Sequence, residues 1–202
     1  MSAAPRRDRF VFAALNGRLA GVAAFLLLLC IGFGLASPNF LTVSNANTIA
    51  LNGAILVVVA CAEAIVVITR NYDLSVGSVV ALSSYVGLDM ARMYPDVGAV
   101  LILAPVLIGA ACGVLNGFLV ATCRLPSVIV TLGTMSIYRG LAYLYAGGHQ
   151  LDPKDLPLWV SRVVGGHVAG LSVLVLLGLA IAVLAAVGLR YLSFGQIGRA
   201  HV

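Results

Sequence analysis

The chain has 202 residues, 61% of them hydrophobic and only 9% charged, with a formal net charge of +5 and a mean hydropathy of +1.08. A soluble domain carries about 25% charged residues, so this chain lacks the charge to cover a water-facing surface and belongs in a bilayer. Its cations are scattered singly, which suits basic loops against anionic lipid and argues against a nucleic-acid partner.

Met1–Arg18 is polar and basic, with Arg6, Arg7, Arg9 and Arg18, and reads as a cytoplasmic N-terminal segment. Leu19–Ala36 follows with 18 uncharged residues. A signal peptide has an apolar core of about 7–15 residues and ends in a small-x-small site. This run is longer, and Leu35-Ala36-Ser37-Pro38 is a poor cleavage site, so an uncleaved first span is favoured. Residues 19–189 read as the transmembrane domain and Arg190–Val202 as a polar tail.

Ser37–Thr48 is a short polar link, and Ile49–Thr69 a second span carrying Glu63, the only glutamate. An ionised carboxylate in hydrocarbon is expensive. Glu63 therefore snorkels near an interface, ties helices together, or lines a polar path. Arg70 lies seven residues on, along the same face if the helix continues.

Thr69-Arg70-Asn71-Tyr72-Asp73-Leu74-Ser75-Val76-Gly77-Ser78 is the conspicuous polar interruption. Asp73 is placed to cap the next helix, accepting from the amides of its first turn. Two readings stand: a capped turn between membrane helices, or a helix start that shapes a translocation path through Asn71, Asp73 and Ser75. Leu74–Leu88 is 15 residues long, short of the roughly 20 that cross a bilayer. It either spans with Asp89 at the far interface or forms a re-entrant half-helix.

Val97–Val120 is a full-length span containing Gly109, Gly113 and Gly117, a doubled G-x-x-x-G expected to pack against a neighbouring helix, with Asn116 beside it. Arg124-Leu125-Pro126-Ser127 breaks the chain, since proline suits the first turn of a new helix. Ser127–Ala146 spans next, with Thr131, Thr134, Ser136, Tyr138 and Arg139 embedded. Arg139 wants a carboxylate or a water-filled cavity. Gly147–Gly166 reads as a loop with Trp159 as an interfacial anchor, and Val168–Leu189 as the last span.

The fold class is thus an all-α polytopic helical bundle of about six transmembrane helices, one of them short or broken. Counting basic residues gives eight inside and three outside for six spans, and the same ratio if Leu74–Leu88 is re-entrant. Charge places the N-terminus inside in both cases and does not choose between them.

Cys30, Cys61, Cys112 and Cys123 have no C-x-x-C spacing, and His149, His167 and His201 are far apart, so no metal site is expected. No G-x-S-x-G or H-E-x-x-H is present. The only lysine, Lys154, is followed by Asp155, so no G-K-[ST] phosphate loop exists. No catalytic residue and no cofactor are expected, and any ATP hydrolysis falls to another subunit. Transport or a passive structural role remains. An ion-coupled carrier is one alternative, using Glu63, Asp73 and Arg139; a non-transporting membrane fragment is another.

Val67-Ile68-Thr69 with Asp73-Leu74-Ser75-Val76-Gly77-Ser78-Val79-Val80-Ala81-Leu82 resembles the signature of the permease subunits of bacterial ABC importers for simple sugars, the ribose, galactoside and rhamnose group. Asn116-Gly117, Leu125-Pro126-Ser127-Val128-Ile129-Val130-Thr131-Leu132-Gly133-Thr134-Met135 and Arg139-Gly140-Leu141 resemble its second block. The resemblance covers roughly Pro38 to Gly148. It implies a multi-pass subunit of the bacterial inner membrane that pairs with a second permease copy or a paralogue. It also implies cytoplasmic ATP-binding subunits and a periplasmic sugar-binding protein as partners. A cytoplasmic tail is implied too, which favours six spans. Arg70-Asn71-Tyr72 stands where many members have Gly-Gly, a variant associated with rhamnose-type permeases. Phe194-Gly195-Gln196-Ile197-Gly198-Arg199 resembles the start of the family's cytoplasmic loop, so the chain reads as the N-terminal part of such a permease. The path residues suggested are Glu63, Asn71, Asp73, Ser75, Asn116, Thr131, Thr134 and Arg139.

Overall fold

The computed structural model describes residues 6–191 apart from 153, 155 and 169, with side chains from residue 19 onward except at 99. The tail expected beyond residue 191 lies outside the described residues. The backbone is helical almost throughout: α1 (Arg6–Ala36), α2 (Val43–Ile68), α3 (Val76–Met93), a 3-10 segment (Pro95–Ile102), α4 (Leu103–Cys123), α5 (Ser127–Ala146), α6 (Leu158–Gly165) and α7 (Val173–Tyr191). Between α6 and α7, β1 (His167–Val168) and β2 (Leu171–Ser172) form a minimal antiparallel hairpin. Five helical stretches among the described residues are long and apolar enough to cross a membrane, in α1, α2, α4, α5 and α7. This is the all-α polytopic architecture expected.

The chain forms two compact units, Met1–Ala50 and Leu51–Val202. In the first, the link after α1 folds on itself. Leu41 packs on Gly34, where a Cβ would lie 3.3 Å from the leucine Cδ1, and the rings of Phe33 and Phe40 stand 5.7 Å apart. Thr42 Oγ1 accepts the Asn45 amide at 3.3 Å, an N-cap bond to the third helical residue. Helix α2 therefore begins at Val43, six residues before the apolar run alone suggested.

In the second unit α3 is the central element, packed along both α4 and α5. Its first end meets Asn116 near the end of α4 and lies by Ser127 at the start of α5. Its far end meets Pro105 at the start of α4, and Tyr145 and His149 at the end of α5. It is thus antiparallel to α4 and parallel to α5 along their length. At 18 residues it is about 27 Å long at 1.5 Å per residue. That is one continuous helix, just under the roughly 20 residues that cross a bilayer. It falls short of the five in apolarity because Ser78, Ser83, Ser84, Asp89 and Arg92 lie on it. Leu82, Cys112 and Tyr138 form the core of this trio, with Val79, Val86, Ile108 and Ala142 around them.

Two expectations are corrected. The span read as Val97–Val120 begins as a 3-10 turn in which Gly98 takes φ 69°, and the α-helix runs from Leu103 to Cys123. Apolar residues on both sides hid that break. The loop read over Gly147–Gly166 contains α6, a two-turn helix started by Pro157, whose missing N–H costs nothing there.

Helix ends at the Ser75 side stop in an unusual way. After α2, Arg70 takes φ 60°. The amides of Asn71 and Arg70 turn back to the carbonyls of Val66 and Val67 at 3.4 and 2.9 Å. These are the two bonds of a Schellman stop, with arginine where glycine is usual. Because α2 ends there, Arg70 does not continue the helical face of Glu63. Arg124 closes α4 with φ 52°.

Candidate functional site

The polar turn before α3 folds on Asp73. One carboxylate oxygen accepts from both the Ser75 amide, at 2.8 Å, and the Ser75 hydroxyl, at 2.6 Å. The expected cap on the first turn of α3 is not what forms. The carboxylate closes a short turn two residues on, and Ser75, at the helix boundary, makes no side-chain cap bond; its oxygen accepts from Asn116 instead.

Ser75 is fully buried, and its hydroxyl oxygen accepts from Asn116 Nδ2 at 2.8 Å. The other end of the Asn116 amide, Oδ1, lies 3.2 Å from the Tyr138 hydroxyl, which also stands 3.1 Å from the Cys112 carbonyl. Tyr138 is 3% exposed and Asn116 5%. The result is a line of donors, Tyr138 to Asn116 to Ser75, all aimed at the Asp73 carboxylate. Each bond polarises the next, and in a dry interior such a chain is worth more than its separate parts.

A second set of bonds ties the same turn to α5. Ser127 Oγ accepts the Tyr72 amide at 3.1 Å. Thr131 Oγ1 lies 3.4 Å from the Tyr72 carbonyl and 2.9 Å from the Ser127 carbonyl of its own helix. Thr134, buried one turn further, bonds only back to the Thr131 carbonyl, at 3.4 Å. Glu63 on α2 faces the Asp73 backbone amide and lies within electrostatic range of its carboxylate.

Of the residues read from the sequence, Asp73, Ser75, Asn116 and Thr131 come together, with Glu63 beside them and Thr134 below. Asn71 does not join them; its amide turns to the carbonyl and hydroxyl of Thr69, at 3.0 and 3.1 Å. Tyr138 and Ser127 belong to the site and were not singled out. The signal for Tyr138 was available: residues 131, 134 and 138 share one helix face.

The glycine stripe behaves differently from expectation. Gly109 comes only near Val79, and a Cβ on Gly113 or Gly117 would meet nothing within 4 Å. The close approaches lie elsewhere. A Cβ on Gly87 would come 2.9 Å from the Pro105 ring, and one on Gly178 of α7 would come 3.0 Å from the Ala54 Cβ of α2.

Arg139 stands apart, on the wall of a cavity of about 640 Å3 between α3 and α5. Tyr85, Tyr143, His149 and Gln150 share that wall. At this rim α3 and α5 are tied twice more. The Tyr85 hydroxyl donates to the His149 carbonyl at 2.9 Å, and the Tyr145 hydroxyl to Asp89 at 3.1 Å. Asp89 also pairs with Arg92 at 2.9 Å.

A central polar helix, tied at both ends within a bundle of apolar helices, is the architecture of a polytopic membrane protein. The chain belongs to the family described as branched-chain amino acid transport system / permease component, whose model matches residues 45–201. Among curated proteins it is similar to the autoinducer 2 import system permease protein LsrC. The Enterobacter sp. (strain 638) protein is 34% identical over 182 residues, 88% of this chain and 51% of the relative. That of Salmonella typhi is 29% identical over 184 residues, 90% and 51% respectively. The Yersinia pseudotuberculosis (strain YPIII) protein is 33% identical over 144 residues, 70% and 40%. The chain thus spans about half the length of the curated relatives it matches. No solved structure gives a significant match.

Proposed function

We propose that this chain forms part of the transmembrane path of an ABC importer for a small, hydroxyl-rich solute of the simple-sugar type. The observation that carries the reading is the donor line ending on Asp73, set on the residues that resemble the permease signature. Membership of a permease family and similarity to an import-system permease support it. On this reading the N-terminus is cytoplasmic and the Ser75 end of α3 faces the cytoplasm. The partners are ATP-binding subunits there, a periplasmic solute-binding protein at the other rim, and a second permease copy or paralogue. Glu63, Asp73, Ser75, Asn116, Thr131 and Thr134 line or brace the cytoplasmic half of the path, and Arg139 belongs to the outer half. Asn71 braces the turn.

The test is uptake in cells that depend on the permease containing this sequence. Import should need ATP and the solute-binding protein, and should survive collapse of ion gradients. Asp73→Asn keeps an acceptor for Ser75, so membrane levels should stay near normal while uptake falls by roughly tenfold, the effect of one lost ionic hydrogen-bond partner. Gradient-driven uptake without ATP would replace this reading with an ion-coupled carrier. Undiminished uptake in Asp73→Asn would reduce the motif to a turn.

A further inference from the structure

On α3, Ser84, Gly87 and Ala91 recur at the spacing of one helix face. Helix α6 sets Val160, Val163 and Val164 across from them. The small side chains on α3 leave the space between these faces and the start of α4 unfilled, as a cavity of about 340 Å3. That falls in the range of small-molecule sites, about 300–1,000 Å3. Ile102 and Val164 on its wall are 49% and 52% exposed, so the cavity opens to the outside.

Polar groups on this wall are few. The hydroxyls of Ser83 and Ser84 turn back to the carbonyls of Val80 and Ala81 on their own helix, each at 3.3 Å. Trp159 also lines the cavity, and its indole N–H is buried without a partner among the described residues. That group is a donor only, so what it lacks is an acceptor. Water is a poor candidate, because an apolar cavity offers it too few polar partners and stays dry. The fitting occupant is apolar over most of its length and carries an acceptor oxygen. Location narrows the class further. Helix α6 bears exposed Ser161 and Arg162 beside its valines, the make-up of a helix lying in a membrane interface. Tryptophan favours the same level. Arg162 stands one turn on from Trp159, a cation at headgroup depth. A phospholipid answers all three features: an acyl chain for the apolar wall, an ester carbonyl for the indole, and a phosphate for the guanidinium.

We propose that the cavity between α3, the start of α4 and α6 holds an acyl chain of one phospholipid, whose ester carbonyl accepts the Trp159 indole N–H. The lipid fills the space that the small residues of α3 leave open and holds α6 against the bundle. The site is separate from the polar turn at Asp73 and does not depend on which solute is carried.

Trp159 is the only tryptophan, so its fluorescence reports this site alone. The full chain is purified in detergent, stripped of lipid and titrated with phosphatidylglycerol carrying a dibrominated acyl chain, a contact quencher. Quenching should saturate at a single lipid per chain and be reversed by unbrominated phosphatidylglycerol. The diether analogue, which lacks the ester carbonyls, should compete several-fold less well. Ser84→Leu and Val163→Phe fill the cavity from opposite walls, at positions exposed enough to accept a larger side chain. Both should cut the quenching several-fold with the helical circular dichroism unchanged. Val114→Phe, at a 71% exposed position of α4 off the cavity wall, should leave it as it was. Quenching that rises with lipid without saturating would show bulk contact only and overturn the proposal. So would equal competition by the diether lipid, reversal by decane as efficient as by phospholipid, or full quenching in both filled variants. The titration and the diether competition use the natural chain, so they decide the matter even if a filled variant does not fold.

Discussion

Helices α3, α4 and α5 are held together by another kind of force than α2 and α7. The trio is stitched by hydrogen bonds that cross between helices: Asn116 to Ser75, Tyr138 to Asn116, Tyr72 to Ser127, Tyr145 to Asp89. Where α2 and α7 meet at Ala54 and Gly178, the contact is close and apolar. Lipid tails are as apolar as leucine, so burial drives membrane helices together only weakly, and close packing and polar bonds must do it. The trio uses both devices at fixed points, which gives it one register. The α7 contact uses one, and a slide along the helix would lose little.

Removing Asn116 tests this difference most severely. Asn116→Ala leaves the buried Ser75 oxygen short of a donor, at about 1–3 kcal/mol, while Tyr138 keeps the Cys112 carbonyl. Thermal unfolding in detergent should show a drop of about 1–3 kcal/mol. A change below about 0.5 kcal/mol would mean the donor line contributes nothing to register. Gly87→Ala comes next. The added methyl meets the stiff Pro105 ring at 2.9 Å, and overpacking of that kind costs about 1–3 kcal/mol. Gly113→Ala, with open space around it, should be neutral or stabilising by up to about 1 kcal/mol. If Gly113→Ala destabilises the isolated chain as much as Gly87→Ala, the contact account is wrong. The smallest effect, opposite in sign to the first, is expected at Ser78. Its hydroxyl is buried without a partner among the described residues. Ser78→Ala should therefore raise stability slightly, by about 0.5–1 kcal/mol. A loss there would reveal a bound water.

The spans were legible in the sequence because bilayer thickness and hydropathy fix them without reference to any neighbour. So was the Asp73 turn as a polar interruption, since charge in an apolar chain is visible at once. What the turn bonds to was not. Asn116 is 41 residues from Ser75, and nothing local couples them. Tyr138 passed as one more aromatic in a span because only its packing buries it. The doubled glycine motif is legible as a groove, but spacing does not say what fills it, and within this chain only Val79 comes near, at Gly109. The 3-10 entry to α4 was hidden because Val97, Leu101 and Ile102 are as apolar as the helix they precede, and the break comes from the backbone of Gly98 alone.

The left-handed turns that end the helices carry a consequence of another sort. At the rim with Gly98 and Gly147, glycine holds the positive φ angles; at the Ser75 rim, Arg70 and Arg124 hold them. An L-residue in that conformation costs about 1–2 kcal/mol more than glycine. The cation recovers part of that, about 0.3–1 kcal/mol, at the negative end of the helix dipole. On the orientation proposed above, each arginine is also a topogenic charge on the cytoplasmic side. Two residues therefore serve at once as chain terminators and as orientation labels. Glycine at both positions would give a more relaxed backbone and a weaker preference for which way the protein threads into the membrane. On that orientation, conformational ease and insertion polarity are opposed at a single pair of residues.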